Sequence, residues 1–239
     1  LHKKLNRWKD CHLKIIGDAV NFLQLQFIQD LAYVSNHKIE TEENFKENYF
    51  PKSNTEKVTY TQIVASGPDK KNYEKIKSTY LRMLYNAKKE IFIQTPYLGL
   101  DESFLSALIS TAQYGIKIRI MLPTIYDKRI VYRVTSSYIN QLLRAGIEVY
   151  LYKGFIHSKV MLMDDCVTSI GTANFDIRSF SLNFEVNAFI TDHEINSKMK
   201  EIFYDDMNDC VKLDENYEKN KSLLIKIEEG FSRLFTPLF

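Results

Sequence analysis

The sequence predicts an α/β domain in which a mixed β-sheet is layered against helices. Hydrophobic residues make up 45% of the 239 residues and charged residues 26%, a balance typical of a globular domain with a sizeable core. From Val58 onward, apolar runs of strand length alternate with segments of helical periodicity. Later in the chain, several strands follow one another with little helix between them. This order favours a sheet with both parallel and antiparallel pairs.

The chain before Val58 has a different pattern. We predict a short strand at residues 11–16 and then a helix that is capped by Asp18 and continues to Ser35. The apolar residues of this helix are spaced three and four apart, as on one helical face: Val20, Leu23, Phe27, Leu31 and Val34. The next residues are rich in Glu, Lys and Asn and show no sustained period, so we predict a linker there.

The alternating region is divided into elements by its apolar periodicity and its turn residues. The predicted strands cover residues 58–65, 90–94, 117–122, 147–152, 156–163, 167–170 and 185–190. The predicted helices cover residues 73–87, 102–114, 129–145, 196–208 and 222–235. Gly146 follows the third of these helices, at the position where many helices end.

Charge and cysteine content argue against several functional classes. The 32 Lys and Arg residues nearly balance 30 Asp and Glu residues, so we expect no nucleic-acid partner. The three cysteines are widely spaced and form no CxxC pair, and we expect no metal and no cofactor. No apolar run has the length needed to span a bilayer. The sequence does not begin with Met, and we expect that residues are missing upstream.

One predicted strand carries both an imidazole and an ammonium group. Strand alternation places His157 and Lys159 on the same face, about 6–7 Å apart along the strand. The neighbouring residues are apolar, and a buried Lys needs a negative partner. That partner is either a structural carboxylate or a bound phosphate.

The next segment favours the phosphate. A turn at Asp164 and a returning strand can bring Asn174 beside the His–Lys pair. An imidazole can attack phosphorus or protonate a leaving alkoxide, while ammonium and carboxamide groups stabilise charge on the non-bridging oxygens. The set therefore predicts phosphodiester chemistry that needs no metal ion.

The spacing of these residues resembles the HKD motif of the phospholipase D superfamily. The pattern His157-x-Lys159-x4-Asp164-x6-Gly171-Thr172-x-Asn174 matches all the defining positions of that motif. In the family, the His is a nucleophile or general acid, Lys and Asn bind phosphate, and Asp supports the structure of the motif. Further segments resemble bacterial cardiolipin synthases of this superfamily, so that the resemblance covers nearly the whole chain: residues 65–68, 93–97, 171–180 with 183–185, and 232–237.

The resemblance implies a phospholipase D-like layered sandwich and a phosphatidyltransferase. The implied reaction joins two phosphatidylglycerol molecules into cardiolipin and glycerol through a phosphohistidine. His157 would act as acid and then base, since the first motif of the family usually supplies the nucleophile. The implied partners are phosphatidylglycerol and an anionic membrane surface, and the implied location is the cytoplasmic face of the cell membrane.

The sequence departs from the family in carrying one motif where the family has two. His2-Lys3-Lys4 lacks the Asp and the Gly-x-x-Asn that would follow. Residues 6–14, however, resemble the stretch behind the first motif. We therefore expect a remnant of an N-terminal lobe at 1–36, a linker at 37–57 and a C-terminal domain at 58–239.

Three hypotheses stay open at this point. The chain is half of a cardiolipin synthase that needs the other half, a homodimeric single-motif phosphodiesterase or nuclease, or a non-catalytic remnant. The N-terminal remnant favours the first hypothesis, because a single-motif enzyme would have no use for it.

Further site residues are suggested by position. Glu185 opens a predicted strand after the motif and could hold the second ring nitrogen of His157, although an exposed strand-edge Glu is the alternative. Asp164 is grouped with His157 and Lys159 as a catalytic residue through its place in the motif, although its turn position favours a structural role. A substrate-lining role and ordinary loop polarity are equal alternatives for three residues behind a strand end: Gln94, Thr95 and Tyr97.

The C-terminal segment predicts an amphipathic helix. Its apolar residues recur at three and four positions: Leu223, Leu224, Ile227, Phe231, Leu234, Phe235 and Leu238. This stripe either packs on the domain core or, together with Phe239, meets a lipid interface. Glu228 and Glu229 weaken the second interpretation, because interfacial helices usually carry an excess of Lys and Arg.

Overall fold

The computed structural model describes residues 7–35, 48–50, 52, 55, 59–69, 73–214 and 216–236. Its strands are β1 (Trp8–Lys9), β2 (Tyr60–Ser66), β3 (Glu90–Gln94), β4 (Leu98–Gly99), β5 (Lys117–Pro123), β6 (Glu148–Tyr152), β7 (Phe155–Ile156), β8 (Val160–Met163), β9 (Val167–Gly171), β10 (Phe175–Asp176), β11 (Glu185–Thr191) and β12 (Cys210–Lys212). Its α-helices are α1 (Ala19–Ser35), α2 (Lys75–Asn86), α3 (Glu102–Gln113), α4 (Arg129–Arg144), α5 (His193–Met207) and α6 (Leu223–Arg233). A π-helical turn covers Arg178–Leu182.

Eight strands form one mixed sheet in the order β12-β6-β5-β3-β8-β9-β11-β2. Strands β3, β5 and β6 are parallel, and the other neighbours in the sheet are antiparallel. In the antiparallel pair of β8 with β3, Val160 lies opposite Gln94, the last residue of β3. The residues just before β8 therefore lie beyond the carboxyl ends of the parallel strands, where sites in α/β sheets are commonly built.

Helices cover both faces of this sheet, which confirms the predicted α/β sandwich. Strand alternation divides β3 between two cores: Ile91 and Ile93 contribute to a core shared with α2, α3 and α4. Phe92 contributes to a second core, which also includes Phe203 of α5. Two short parallel ladders, β1 with β7 and β4 with β10, lie outside the main sheet.

The predicted strand at residues 11–16 is wrong. Side chains alternate between half-buried and exposed there, as predicted, but among the described residues the segment pairs with no strand. Cys11 and Leu13 pack against the second core, so the extended segment lies on a face of the sheet and not in its plane. In the part of the chain that the structure describes, its backbone therefore has no neighbouring strand with which to form a ladder.

The predicted strand at residues 156–163 is interrupted in the structure. Phe155–Ile156 and Val160–Met163 are strands, whereas residues 157–159 belong to neither ladder. Helix α5 begins at His193, three residues earlier than predicted, because the Asp192 side chain accepts a hydrogen bond from the N–H of Ile195 and caps the helix. Most of the predicted linker, residues 37–57, lies outside the described residues, as does Val58.

The C-terminal helix packs against α4. It does so with its polar face, whereas a helix that contributes to a core packs with its apolar face. Glu229 and Ser232 are its buried residues, while the apolar stripe from Leu223 to Phe235 is exposed. This excludes packing of the described part of the stripe on the domain core. Leu238 and Phe239 lie outside the described residues. Within the described part of the chain, no helix is both long and apolar enough to cross a membrane.

Candidate active site

The N-terminal segment is held in register with the motif by backbone hydrogen bonds. Strand β1 runs parallel to β7, with Trp8 opposite Phe155. The N–H of His157 donates to the carbonyl of Lys9 over 2.7 Å. This register continues past β1 and places the side chain of Asp10 next to the ring of His157.

Asp10 holds the imidazole of His157. Its Oδ2 lies 2.8 Å from Nδ1 of His157, which leaves Nε2 as the ring nitrogen available for chemistry. Burial raises the pKa of Asp10, but the hydrogen bonds from His157 and from the N–H of Cys11 outweigh burial, so that the pKa lies below its usual value. The rings of Trp8 and Phe155 flank the imidazole, with centroids 4.9 and 5.9 Å from it. The ring is therefore fixed by one hydrogen bond and two aromatic contacts.

Lys159 is buried without a carboxylate in contact. Its ammonium donates to the carbonyl of His157 over 2.6 Å, and no described carboxylate lies within ion-pair distance of it. Burial lowers the pKa of Lys159 to about 8, against the opposing pull of Asp10, Glu185 and Asp176. A buried ammonium group that has no carboxylate partner is suited to bind an anion from outside the chain.

Asn174 reaches the site through a close approach of two strands. A Cβ on Gly171 would lie 2.3 Å from Cγ of Asn187, so only glycine fits there. Asn187 in turn accepts a hydrogen bond from the N–H of Ala173 and fixes the loop before Asn174. The Oδ1 of Asn174 is buried and has no hydrogen-bond partner among the described residues. An unmatched buried polar atom at a cleft is suited to contact a ligand.

Glu185 does not hold His157, which corrects that prediction. Its Oε1 accepts a hydrogen bond from Asn183 over 3.2 Å, and the position at the ring nitrogen is taken by Asp10. Burial raises the pKa of Glu185, and burial likewise raises the pKa of Asp176. Glu185 is still close enough to Lys159 to act on its pKa. It is therefore a second, half-buried carboxyl group close to the site, with no imidazole bound to it in the described structure.

These residues open onto one cleft of about 520 Å³. His157, Lys159 and Asn174 all line it, together with Asp10. The rest of the lining is mainly apolar and comes from the N-terminal segment, α1 and the sheet: Cys11, Leu13, Ile15, Leu23, Ile63, Ile170, Val186 and Ala188. The cleft thus joins a polar end, suited to a phosphate, to an apolar floor.

Asp164 lies at the other end of β8, and grouping it with the catalytic residues is wrong. Its carboxylate accepts hydrogen bonds from the N–H groups of Lys88, Lys89 and Glu90, at 2.8 to 3.0 Å. Its backbone is left-handed, with φ of 49°. Asp164 therefore ties the turn after β8 to the start of β3, as its turn position suggested.

Gln94 and Thr95 are also turned away from the cleft. The amide of Gln94 donates to Asp206 of α5 over 3.0 Å, and Asp206 pairs with Lys9 behind the site. The hydroxyl of Thr95 is fully buried and donates to the carbonyl of Tyr97. Both residues brace the site from behind and do not line it.

Tyr97 is half-buried beside the loop before α4. Its hydroxyl donates to Asp127 over 2.6 Å, and burial together with this bond raises the pKa of Tyr97. It does not line the cleft that contains His157. A substrate-lining role for Tyr97 therefore remains a prediction, and it would apply to the surface beside Asp127 and not to this cleft.

Sequence reasoning missed Asp10. The signal was present, because Asp10 belongs to the stretch that resembles the region behind a first motif. The sequence could not show that β1 pairs with β7. This pairing brings Asp10 to His157, although 147 residues separate the two in the chain. Among the described residues, no group of three His, Cys, Asp or Glu side chains is arranged to hold a metal ion.

Comparison with known families gives a match over residues 80–207 to the cardiolipin synthase, phospholipase D-like domain. A cardiolipin synthase of Staphylococcus aureus (strain Mu50) is 43% identical over 237 residues, which is 99% of this chain and 47% of the relative. A cardiolipin synthase of Listeria monocytogenes serotype 4a is 40% identical over 238 residues, again 99% of this chain and 48% of the relative. The chain thus spans about half the length of these relatives.

Solved structures agree with this at the level of the fold. The phosphatidylserine synthase of Haemophilus influenzae superimposes with a TM-score of 0.61 at 13% identity, over 76% of this chain and 46% of that one. This likeness carries the fold alone, since the sequences have diverged too far to transfer residue roles.

Proposed function

Because the chain belongs to the cardiolipin synthase family of phospholipase D-like domains, we propose that it forms one half of a phosphatidyl-transfer site. The proposed reaction converts two phosphatidylglycerol molecules into cardiolipin and glycerol. The proposed location is the cytoplasmic face of the cell membrane, with this part of the protein peripheral to the bilayer.

The observation that carries the proposal is the pair of His157 and Lys159 at the cleft. The imidazole is fixed through Nδ1 by Asp10, and a buried ammonium without an ion-paired carboxylate lies beside it. A fixed imidazole supports proton transfer or attack at phosphorus. A desolvated cation stabilises negative charge on the phosphoryl oxygens more strongly than it would in water. The apolar floor of the cleft is consistent with a lipid substrate.

The reaction needs two imidazoles. One attacks the phosphorus of the first phosphatidylglycerol, so that a nitrogen–phosphorus bond forms and the bond to the glycerol headgroup oxygen breaks. The second, as imidazolium, gives its proton to that oxygen, and glycerol leaves. A hydroxyl of the second phosphatidylglycerol then returns a proton to this imidazole and attacks the phosphohistidine, which releases cardiolipin. We assign the acid and base role to His157, and the nucleophile to the histidine of a first motif.

The carboxyl groups support a second half-site. Asp10 lies in the stretch that resembles the region behind a first motif, yet it serves His157 of the second motif. If the exchange is reciprocal, the carboxyl group behind the second motif serves the histidine of the first. Glu185 occupies that place and has no imidazole of its own in the described structure. In this proposal residues 1–36 belong to a first lobe and residues 58–239 to a second.

The same contacts disfavour a symmetric homodimer. Two copies of His157 would each be held by their own Asp10, so each Glu185 would remain without an imidazole. A protein with two motifs gives both carboxyl groups a partner. The homodimeric phosphodiesterase and the non-catalytic remnant are therefore alternatives for the test to separate.

The test follows the products from phosphatidylglycerol vesicles. The chain alone should form no cardiolipin, whereas the protein with a first-motif half added should release cardiolipin and glycerol in equal amounts. Activity of the chain alone that rises with the square of its concentration would establish the homodimer instead. No product from any combination, with both halves folded, would establish the remnant. Phosphatidic acid as the main product would replace transfer by hydrolysis.

A further inference from the structure

Helix α6 presents its apolar side chains to the outside. Six large apolar side chains along it are between 37% and 74% exposed: Leu223, Leu224, Ile227, Phe231, Leu234 and Phe235. An amphipathic helix on a soluble domain normally turns such a face toward the core. Contiguous exposed apolar surface of this kind marks a site of interaction.

The inner face of α6 is anchored by polar contacts. Glu229 is 5% exposed and accepts hydrogen bonds from Ser136 over 2.6 Å and from Lys221 over 2.8 Å. Glu228 accepts hydrogen bonds from Arg129 and Arg133 of α4. These contacts fix which side of the helix faces outward, so its exposed apolar face is set by the fold.

The charges around α6 favour an anionic partner. The two glutamates that weakened an interfacial role in the sequence are both ion-paired: Glu229 is buried against Lys221, and the half-exposed Glu228 pairs with Arg129 and Arg133. Glu218 also pairs with Lys221. Five cationic side chains at this contact face three carboxylates: Arg129, Arg133, Lys221, Lys226 and Arg233 against Glu218, Glu228 and Glu229. Arg233 lies over the neutral ring of Tyr138, at 4.7 Å. Two positive charges are therefore in excess beside the apolar face.

Helix α6 also leads to the edge of the candidate active site. Thr236, just after the helix, lies close to Gly99 of β4, and Tyr138 donates to it. Strand β4 pairs with β10, which starts one residue after Asn174. The apolar face and the cleft are thus joined through one short ladder.

We propose that α6 lies in the headgroup region of an anionic phospholipid bilayer, with its apolar face in the acyl boundary and the cleft at the membrane edge. This inference rests on the proposed function, whose substrate stays in the bilayer. Helix α1 also exposes apolar side chains, but it differs from α6 in charge. Its only charged residue is Asp30, and it is apolar on several sides. A helix without a charged face suits contact with protein, whereas an apolar face flanked by cations suits anionic lipid.

The test is co-sedimentation of the full chain with phosphatidylglycerol vesicles and with phosphatidylcholine vesicles. The double variant Ile227→Glu and Phe231→Glu changes two exposed side chains, so it should stay folded, which circular dichroism checks. We expect its partition onto phosphatidylglycerol vesicles to fall at least about tenfold. The matched control is Tyr114→Glu, which alters a side chain that is 92% exposed at the end of α3 and should bind as wild type does.

Unchanged vesicle binding by the folded double variant would overturn the inference. A second outcome would also overturn it: the wild-type protein is an oligomer, and the double variant is a monomer that binds vesicles as wild type does. The apolar face of α6 would then be a contact between protein copies. Vesicle binding needs no turnover, so a failure of cardiolipin synthesis and a failure of membrane contact are read from different assays.

Discussion

The two ends of the β8–β9 hairpin treat their polar groups in opposite ways. At the turn, the Asp164 carboxylate accepts three backbone hydrogen bonds, and Asp165 pairs with Lys89 and Lys200. At the other end, the buried ammonium of Lys159 contacts a carbonyl, and the Oδ1 of Asn174 has no partner among the described residues.

This difference separates stability from function within one motif. Folded proteins match nearly all their buried polar groups, and exceptions concentrate where a ligand completes the set. Asp164 and His157 are defining positions of the same sequence pattern, yet the structure uses one to hold the turn and leaves the other at an open cleft. Substitutions at the two ends should therefore have different consequences.

The largest expected effect is at the open end. His157→Ala, in the protein with both half-sites, should lower cardiolipin formation by about 10³-fold, because a methyl group transfers no proton. The thermal midpoint should stay near that of wild type, since the imidazole is half-exposed. His193→Ala, at an exposed histidine that begins α5, is the control and should keep full activity. Turnover by His157→Ala within tenfold of wild type would remove the catalytic assignment.

The turn end should respond in stability. Asp164→Ala leaves three backbone N–H groups without their acceptor, and we expect the free energy of unfolding to fall by about 2–4 kcal/mol. Urea titration measures this change. The refolded protein should keep the specific activity of wild type. Asp165→Ala, at the neighbouring carboxylate whose side chain is 46% exposed, should cost less, because its partners are the ammonium groups of lysines and not backbone N–H groups. An equal loss would contradict the structural role given to Asp164.

Asp10→Asn tests the link between the two parts of the site. The imidazole would lose its carboxylate, so kcat should fall by about 10- to 100-fold with little change in KM. Nitrogen NMR of the His157 ring should show a change in the tautomer populations. Asp209→Asn is the matched control, because Asp209 pairs with Arg7 on the same N-terminal segment at an exposed position. A loss confined to stability, with kcat intact, would make Asp10 a purely structural residue.

The smallest expected effect is a dependence on pH. Burial lowers the pKa of Lys159 to about 8, so the ammonium loses its proton as pH rises through that value. Sulfate binding, measured by calorimetry, should therefore weaken by up to about tenfold per pH unit above 8, whereas Lys159→Arg should bind equally well up to pH 10. Stability changes in the opposite direction: the unfolded chain binds more protons between about 8 and 10.5, so the free protein becomes more stable as pH rises. Sulfate affinity that is flat from pH 7 to 10 would contradict this.

The sequence predicted the sandwich and most of its elements because apolar periodicity reports which face of each element is buried. It also predicted His157, Lys159 and Asn174 at one place, since a short hairpin joins them. It failed at residues 11–16, where alternation reports burial against a sheet face and cannot reveal a missing ladder partner. It failed for Glu185 because two carboxyl groups compete for one ring nitrogen, and only the β1–β7 register decides between them.

The pairing of Asp10 with His157 also has a consequence for synthesis on the ribosome. Asp10 leaves the exit tunnel long before His157, since 147 residues separate them in the chain. Contacts between distant residues form late, after the cost in loop-closure entropy has been met. The imidazole is therefore oriented only once the sheet between them has folded, so a nascent or prematurely terminated chain has no oriented imidazole to act as acid and base.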